Sequence, residues 1–160
     1  MSDNDIGNNE PTTVGSQVSA VLFACNINAV RSAMAEAMVK HAFPSKIFVD
    51  SCGVTPGIFD GFATAVMQEI GLDMSAHEPK SFDDLDSGFY DVIISFSPEA
   101  HYAARALTQN IDCETLYWPV DNLASLTGSR EEMLRAYRHV RDDIRGKLSI
   151  YFGRDIAGNT

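Results

Sequence analysis

One strand-to-turn-to-helix pattern constrains the fold of this 160-residue chain more than any other feature. Residues 21–24 are apolar, as in a strand that is covered on both faces. A short polar turn begins at Cys25, and a helical pattern begins at Arg31. A buried strand that runs directly into a helix is the first half of a βαβ unit. The sequence therefore predicts an α/β fold with a parallel sheet and right-handed crossovers.

The same alternation continues along the chain. Three more strands are predicted, at 46–51, 90–96 and 114–118, and the first of these has the pattern of an edge strand. Helices are predicted at 31–42, 62–70 and 98–108 and from a capping box at Ser129 onward, while 52–57 is predicted to be a loop. We expect a three-layer sandwich, in which a four-stranded parallel sheet is flanked by helices. The loops after the strands would then meet in one crevice.

Length and composition place the chain among single-domain proteins. We predict a disordered N-terminal tail over 1–17, one domain over 18–153 and a C-terminal tail over 154–160. No apolar run has the length of a membrane span, and no signal-peptide pattern is present. A net charge of −10 argues against nucleic acid or a membrane as a partner. Three scattered cysteines favour free thiols and a cytoplasmic location.

The turn after the first strand has the chemistry of an anion site. Backbone N–H groups at a helix N-terminus bind anions, and Arg31 can hold the same anion with a bidentate guanidinium. The Cys25 thiolate is stabilised there and suits attack on phosphorus. Ser32 can donate its hydroxyl to the sulfur, and Asn28 tolerates a left-handed backbone and can brace the loop with its amide. The spacing of Cys25 and Arg31 is weak by itself, since a buried cysteine and a surface arginine would also produce it.

The chain resembles the low-molecular-weight protein tyrosine phosphatase family, whose fold is shared with thioredoxin-coupled arsenate reductases. The resemblance covers about 18–152 and rests on the motifs at 21–25, 28, 31–36, 50–53, 71–77 and 118–122. It implies the phosphotyrosine phosphatase I-like fold, a phosphocysteine intermediate on Cys25 and no metal or organic cofactor. The implied catalytic residues are Cys25, Arg31 and Asp121, and the implied supporting residues are Ser32, Asn28 and His77. The implied phosphate-binding loop consists of Asn26, Ile27, Asn28, Ala29, Val30, Arg31 and Ser32.

The sequence departs from the family pattern at several positions. Ile27 stands where the family has glycine, and Val30 stands where many members have a second cysteine. The family's Asp-Pro pair reads Asp121-Asn122-Leu123 here, and an ungapped alignment puts Asn122 at the position of the general acid. Because asparagine cannot transfer a proton in this way, we assign the acid to Asp121. Leu123 and Ala124 replace the aromatic residues that follow the acid in the family.

Three functions remain open at this stage. The first is hydrolysis of phosphomonoesters, as a protein tyrosine phosphatase that acts on a phosphorylated protein or a small aryl phosphate. The second is a phosphoprotein-binding module, or a module for inorganic phosphate or other oxyanions, with weak or no catalysis. The third is arsenate reduction, which is disfavoured because the run at 94–98 contains serines where the thioredoxin-coupled reductases need cysteine. We expect Cys52 to pack as a small apolar residue.

Overall fold

The computed structural model describes residues 7, 11, 12 and 18–156. Apart from those first three residues, the predicted N-terminal tail lies outside the described residues, and so does 157–160. The packed part of the chain continues past the predicted boundary at 153. Ile156 is fully buried, and its N–H donates to the Ser149 hydroxyl at 3.0 Å. The chain after the last helix therefore folds back onto that helix as far as Ile156.

Four parallel strands form the central sheet and confirm the predicted fold class. They are β1 (Ala20–Ile27), β2 (Phe48–Thr55), β3 (Val92–Ser95) and β4 (Glu114–Tyr117). Their order in the sheet is β2-β1-β3-β4, so β2 lies at an edge, as its sequence pattern predicted. The central strand β1 is buried from Ala20 to Cys25, which explains its continuous apolar run.

Helices cover both faces of the sheet. They are α1 (Arg31–Ala42), α2 (Gly61–Gln68), α3 (Pro98–Leu107) and α4 (Arg130–Phe152), and short 3-10 turns occur at 82–84 and 87–89. The apolar residues of α1, α2 and α4 pack with Val21, Phe23 and Cys25 on one face. The small residues of α3 pack with Leu22 and Ala24 on the other face. The predicted capping box at the start of α4 is present, because Ser129 and Glu132 bond each other's backbone N–H groups.

The two strands next to the anion loop are longer than the sequence predicted. β1 continues to Ile27, and the prediction of a loop at 52–57 is wrong for its first four residues, which belong to β2. Gly53 pairs with Cys25, and the Asn28 N–H donates to the carbonyl of Thr55 at 3.3 Å. A Cβ atom on Gly53 would lie 2.6 Å from the Asn28 nitrogen. The absence of that atom lets β2 run alongside the loop and support it.

Candidate active site

The predicted anion loop lies where β1 ends and α1 begins. Cys25 belongs to β1 and is 1% exposed, and Arg31 is the first residue of α1. Val30, at the N-cap of α1, makes no capping hydrogen bond with its side chain. The first N–H groups of α1 therefore have no side-chain cap, and they are the groups of a helix N-terminus that suit an anion.

The Cys25 sulfur contacts the Ser32 hydroxyl, as predicted. The Sγ–Oγ distance is 3.0 Å, and Ser32 Oγ also accepts a hydrogen bond from Asn28 Nδ2 at 2.9 Å. Because Asn28 already donates to this oxygen, the hydroxyl hydrogen of Ser32 is available for the sulfur. The arrangement favours the charged form of the nucleophile once the thiol loses its proton.

A backbone carbonyl occupies the other side of the sulfur. The Cys25 thiol donates to the carbonyl oxygen of Ile27 at 2.9 Å, and the same oxygen accepts from the Ala29 N–H at 2.8 Å. The Ile27 carbonyl oxygen therefore contacts the sulfur from within the loop and is shared between the Cys25 thiol and the Ala29 N–H.

One half of the Arg31 guanidinium is anchored to the backbone. Its Nη1 donates to the carbonyls of Phe96 at 3.1 Å and Val120 at 2.9 Å, so the chain segments after β3 and β4 both meet the loop. The side chain is buried, with 5% of the residue exposed. In the described part of the chain, Nε and Nη2 have no hydrogen-bond acceptor. The Nε and Nη2 groups of the guanidinium can therefore bind an oxyanion together, through two parallel N–H groups.

Asn28 braces the loop through its side chain, as predicted. Besides Ser32, its Nδ2 donates to the Ser51 hydroxyl at 3.0 Å, and its Oδ1 accepts from the Lys80 N–H at 3.0 Å. The His77 Nε2 lies 3.0 Å from the Asn28 carbonyl oxygen, so the structure brings these two predicted residues together. The left-handed backbone that asparagine tolerates is not used here. Among the described non-glycine residues, only Ser45 has a positive φ.

Glu36 is a buried carboxylate behind this network that the sequence analysis did not single out. It is 7% exposed, it accepts a hydrogen bond from the Ser51 hydroxyl, and it is paired with Lys40. The Nδ1 of His77 lies 3.7 Å from its Oε1. Glu36 follows Ser32 by one helical turn, on the buried face of α1. The sequence signal that could have identified Glu36 is its position among the apolar residues of α1, because a buried carboxylate needs hydrogen-bonding partners.

The segment after β4 presents Asn122, not Asp121, to the loop. A pocket of about 280 Å³ beside the loop is lined by Ile27, Val30, Asn122 and Leu123, among others. Asp121 is exposed and lines a neighbouring pocket against α4. Leu123 borders both pockets, so they meet at this segment. The structure thus brings Cys25, Arg31, Ser32, Asn28 and His77 together, whereas Asp121 lines the neighbouring pocket and not the one beside the loop.

The other two cysteines occupy different positions in the sheet from Cys25. All three are free thiols. Cys52 is fully buried with Ala24 and Ile93, on the face of the sheet opposite Cys25, and packs there as predicted. Burial, followed by the neighbouring Cys25 and the Asp50 carboxylate, raises the pKa of the Cys52 thiol. Cys113 immediately precedes the edge strand β4, at its amino end, whereas Cys25 lies towards the carboxyl end of the inner strand β1.

The described residues contain neither a membrane-spanning helix nor a metal-ligand cluster. None of their helices is both long and apolar enough to span a bilayer. Within the same residues, no three or more His, Cys, Asp and Glu side chains are grouped as ligands for a metal ion.

Comparisons with known proteins point to one family. The family model for low molecular weight phosphotyrosine protein phosphatase matches residues 20–152. An arsenate reductase of Halalkalibacterium halodurans is 28% identical over 131 residues, covering 82% of this chain and 93% of that protein. A glutaredoxin arsenate reductase of Synechocystis is 37% identical over 75 residues, which cover 47% of this chain and only 57% of that protein.

Solved structures give the same result for the fold. The tyrosine phosphatase amsI of Erwinia amylovora has a TM-score of 0.70 at 17% identity, with 84% of this chain and 91% of that chain covered. An arsenate reductase in a phosphate-binding state has a TM-score of 0.63 at 25% identity, with 82% and 94% covered. Phosphatases and arsenate reductases thus share this fold. Because the family model matches most of the chain, this protein belongs to the low-molecular-weight phosphotyrosine protein phosphatase family.

Proposed function

We propose that this protein hydrolyses phosphomonoesters through a phosphocysteine intermediate on Cys25. The observation that carries the proposal is the arrangement of Cys25 Sγ, Ser32 Oγ at 3.0 Å and the half-free guanidinium of Arg31 at the start of α1. Sulfur attacks phosphorus, the P–O bond to the leaving group breaks, and the leaving oxygen takes a proton. Water then attacks phosphorus, the P–S bond breaks, and phosphate leaves with the thiolate restored.

The loop and Arg31 supply the stabilisation of the transition state. Charge builds up on the three equatorial oxygens of the phosphoryl group. The Nε and Nη2 groups of Arg31 and the uncapped N–H groups of α1 suit these oxygens. Asn28 holds the loop in place through four hydrogen-bonded contacts, so little reorganisation accompanies the reaction.

Proton transfer belongs to Asp121 in this proposal. It is the one residue of the pair 121–122 whose side chain can both donate and accept a proton. In this structure Asp121 lines the neighbouring pocket against α4. The proposed transfer therefore needs the segment after β4 to move so that Asp121 reaches the pocket beside the loop.

Aryl phosphates, among them phosphotyrosine in proteins, are the proposed substrates. Apolar side chains line the pocket beside the loop, and two of them project into solvent: Ile58 is 81% exposed and Phe59 is 64% exposed. Such walls suit an aromatic ring. The chemistry needs Cys25 to be reduced, so a reducing, cytoplasmic setting is part of the proposal.

Arsenate reduction is the second candidate, since the curated relatives carry that name over most of their length. The thioredoxin-coupled reaction needs a second thiol to attack the sulfur of the nucleophile. Cys52 lies on the opposite face of the sheet, and Cys113 lies at the amino end of β4, whereas Cys25 lies towards the carboxyl end of β1. This chain would therefore need an external thiol, such as glutathione, as the reductant.

The test is turnover of an aryl phosphate by the purified, reduced protein between mildly acidic and neutral pH. Cys25→Ser removes activity, and the matched control Cys113→Ser keeps it. Asp121→Asn lowers turnover about 100-fold, whereas Asn122→Asp changes it little. An Asn122→Asp variant that gains activity would contradict the role of Asp121. Phosphate binding without turnover would favour the binding module, and arsenate-dependent oxidation of glutathione without phosphatase activity would favour the reductase.

A further inference from the structure

Asp60 is a carboxylate on the wall of the pocket beside the anion loop. It precedes α2 and caps it, with Oδ1 accepting the Ala63 N–H at 3.0 Å. Its second oxygen, Oδ2, accepts the phenol O–H of Tyr137, on α4, at 2.8 Å. An N-cap requires only the first of these contacts. The second fixes the carboxylate from a different helix and leaves each oxygen with a free acceptor site.

Tyr137 is suited to hold this carboxylate. It is 5% exposed, and its ring packs against Phe62 at a centroid distance of 5.4 Å. Burial, followed by the bond to Asp60, raises the pKa of Tyr137, so the phenol stays protonated and continues to donate. Tyr137 lines the same pocket as Asp60, which places the pair at the pocket wall.

The pocket has two charged residues among those that the structure describes around it. Arg31 lies on the loop side, and Asp60 lies on the side of α2. Most other lining side chains are apolar, including Ile27, Ile58 and Leu123. Asp60 and Ala29 also border a narrow second cavity together, so Asp60 and the loop are neighbours at two cavities. A phosphate held by Arg31 would thus direct its organic group along an apolar wall towards a fixed negative charge.

We propose that Asp60, positioned by Tyr137, selects phosphomonoesters whose organic group ends in a cation or a hydrogen-bond donor and disfavours those that end in a carboxylate. This inference rests on the proposed function in one respect, namely that the phosphate group binds at Arg31. Asp60 acts on the leaving group and is separate from the proton transfer assigned to Asp121. A fixed carboxylate near an apolar wall attracts an ammonium group and repels a carboxylate. It can therefore distinguish two ligands of similar shape that carry opposite charges.

The test measures binding, so that it does not depend on turnover. Three non-hydrolysable benzylphosphonates are titrated calorimetrically: the parent compound and its para-aminomethyl and para-carboxylate derivatives. The wild-type protein is expected to bind the aminomethyl compound about tenfold more tightly than the carboxylate, as expected for one charge pair at a half-buried site. In Asp60→Asn this ratio falls to near one, while the affinity for the parent compound changes less than about twofold.

Two variants serve as controls. Asparagine caps helices as well as aspartate does, so Asp60→Asn is expected to fold, which its unfolding transition checks. Asp112→Asn removes the same charge from an exposed position just before β4, at the far edge of the sheet, and keeps the full ratio. Tyr137→Phe leaves the carboxylate in place without its phenol donor and lowers the ratio only in part.

The possible failures are distinguishable. If the wild-type protein binds the aminomethyl and carboxylate compounds equally, or if Asp60→Asn keeps the preference, the role of Asp60 is refuted and the anion site stands. If the wild-type protein binds none of the phosphonates and no inorganic phosphate, the proposed function is refuted as well. Loss of the preference in Asp112→Asn would assign it to net charge and overturn the proposal.

Discussion

The contact between Gly57 and Ile27 offers the sharpest test of how this chain accommodates isoleucine in its anion loop. Gly57 has a φ of +79°, in the left-handed region that side chains avoid. A Cβ atom on Gly57 would lie 2.1 Å from Cγ2 of Ile27 and 3.5 Å from its Cβ. The Ile27 side chain packs against Gly57 on one side and is open to solvent on the other, since it is 42% exposed. Gly57→Ala is therefore expected to destabilise the protein for two separate reasons.

Gly71 separates these two reasons. It has the same φ of +79°, but a Cβ atom there would have no atom within 4 Å. Gly71→Ala is expected to cost about 1 to 2 kcal/mol for the left-handed backbone alone. Gly57→Ala adds about 1 to 2 kcal/mol because Ile27, whose branched side chain is stiff, must leave its rotamer or shift the loop. In a protein of this size the extra cost corresponds to about 2 to 8 °C in Tm.

The assay is urea unfolding of Gly57→Ala, Gly71→Ala, Ile27→Ala and the double variant Ile27→Ala/Gly57→Ala. Removing Cγ2 removes the clash, so in the Ile27→Ala background Gly57→Ala should cost little more than Gly71→Ala costs in the wild-type protein. The coupling energy of the cycle should be about 1 to 2 kcal/mol. Equal losses for Gly57→Ala and Gly71→Ala, or a coupling near zero, would show that Ile27 does not rest on Gly57 and would refute the argument.

Two further predictions concern the site and the pH dependence of stability. Ser32→Ala removes the hydroxyl 3.0 Å from the Cys25 sulfur and should lower aryl phosphate turnover about tenfold, the value of one hydrogen bond to a charged group; unchanged turnover would mean that the hydroxyl does not assist the thiolate. Hydrogen bonds from the Ser19 N–H and hydroxyl, and then from the Ala20 N–H, hold the pKa of Asp91 below its usual range. The pKa of Asp91 is therefore lower in the folded protein than in the unfolded chain. Its stabilising effect is fully present above the unfolded-chain pKa of about 3.9 and is lost as the pH falls through the folded-state pKa. Asp91→Asn should therefore lower Tm at neutral pH, and the difference from wild type should shrink in acid; a difference independent of pH would contradict the assignment.

Backbone carbonyls contact both Cys25 and Arg31 in the loop. Isoleucine replaces glycine at position 27, and the carbonyl of this residue, rather than an N–H, faces the sulfur. Arg31 is already held by Phe96 and Val120, so the guanidinium is in place before any ligand arrives. The contacts of Ser32, Asn28 and Arg31 around the loop are thus all formed within the chain itself.

The sequence by itself determined the alternation of elements, the edge position of β2, the cap of α4 and the location of the anion loop. These features depend on local patterns: apolar runs, capping residues and residues that neighbour each other along the chain. Cys25, Arg31 and Ser32 were predictable because a strand-to-helix turn places them together within eight residues.

Only the tertiary structure decided the contacts between distant segments. The extension of β2 to Thr55 depends on the approach of Asn28 to Gly53, which no local pattern shows. Likewise, whether Asp121 or Asn122 faces the loop depends on where the chain leaves β4, and a one-residue difference reverses the side on which a side chain lies. The place of Asp60 in the pocket wall depends on the packing of α2 against α4. Its partner Tyr137 lies 77 residues further along the chain, so no local pattern could predict their contact.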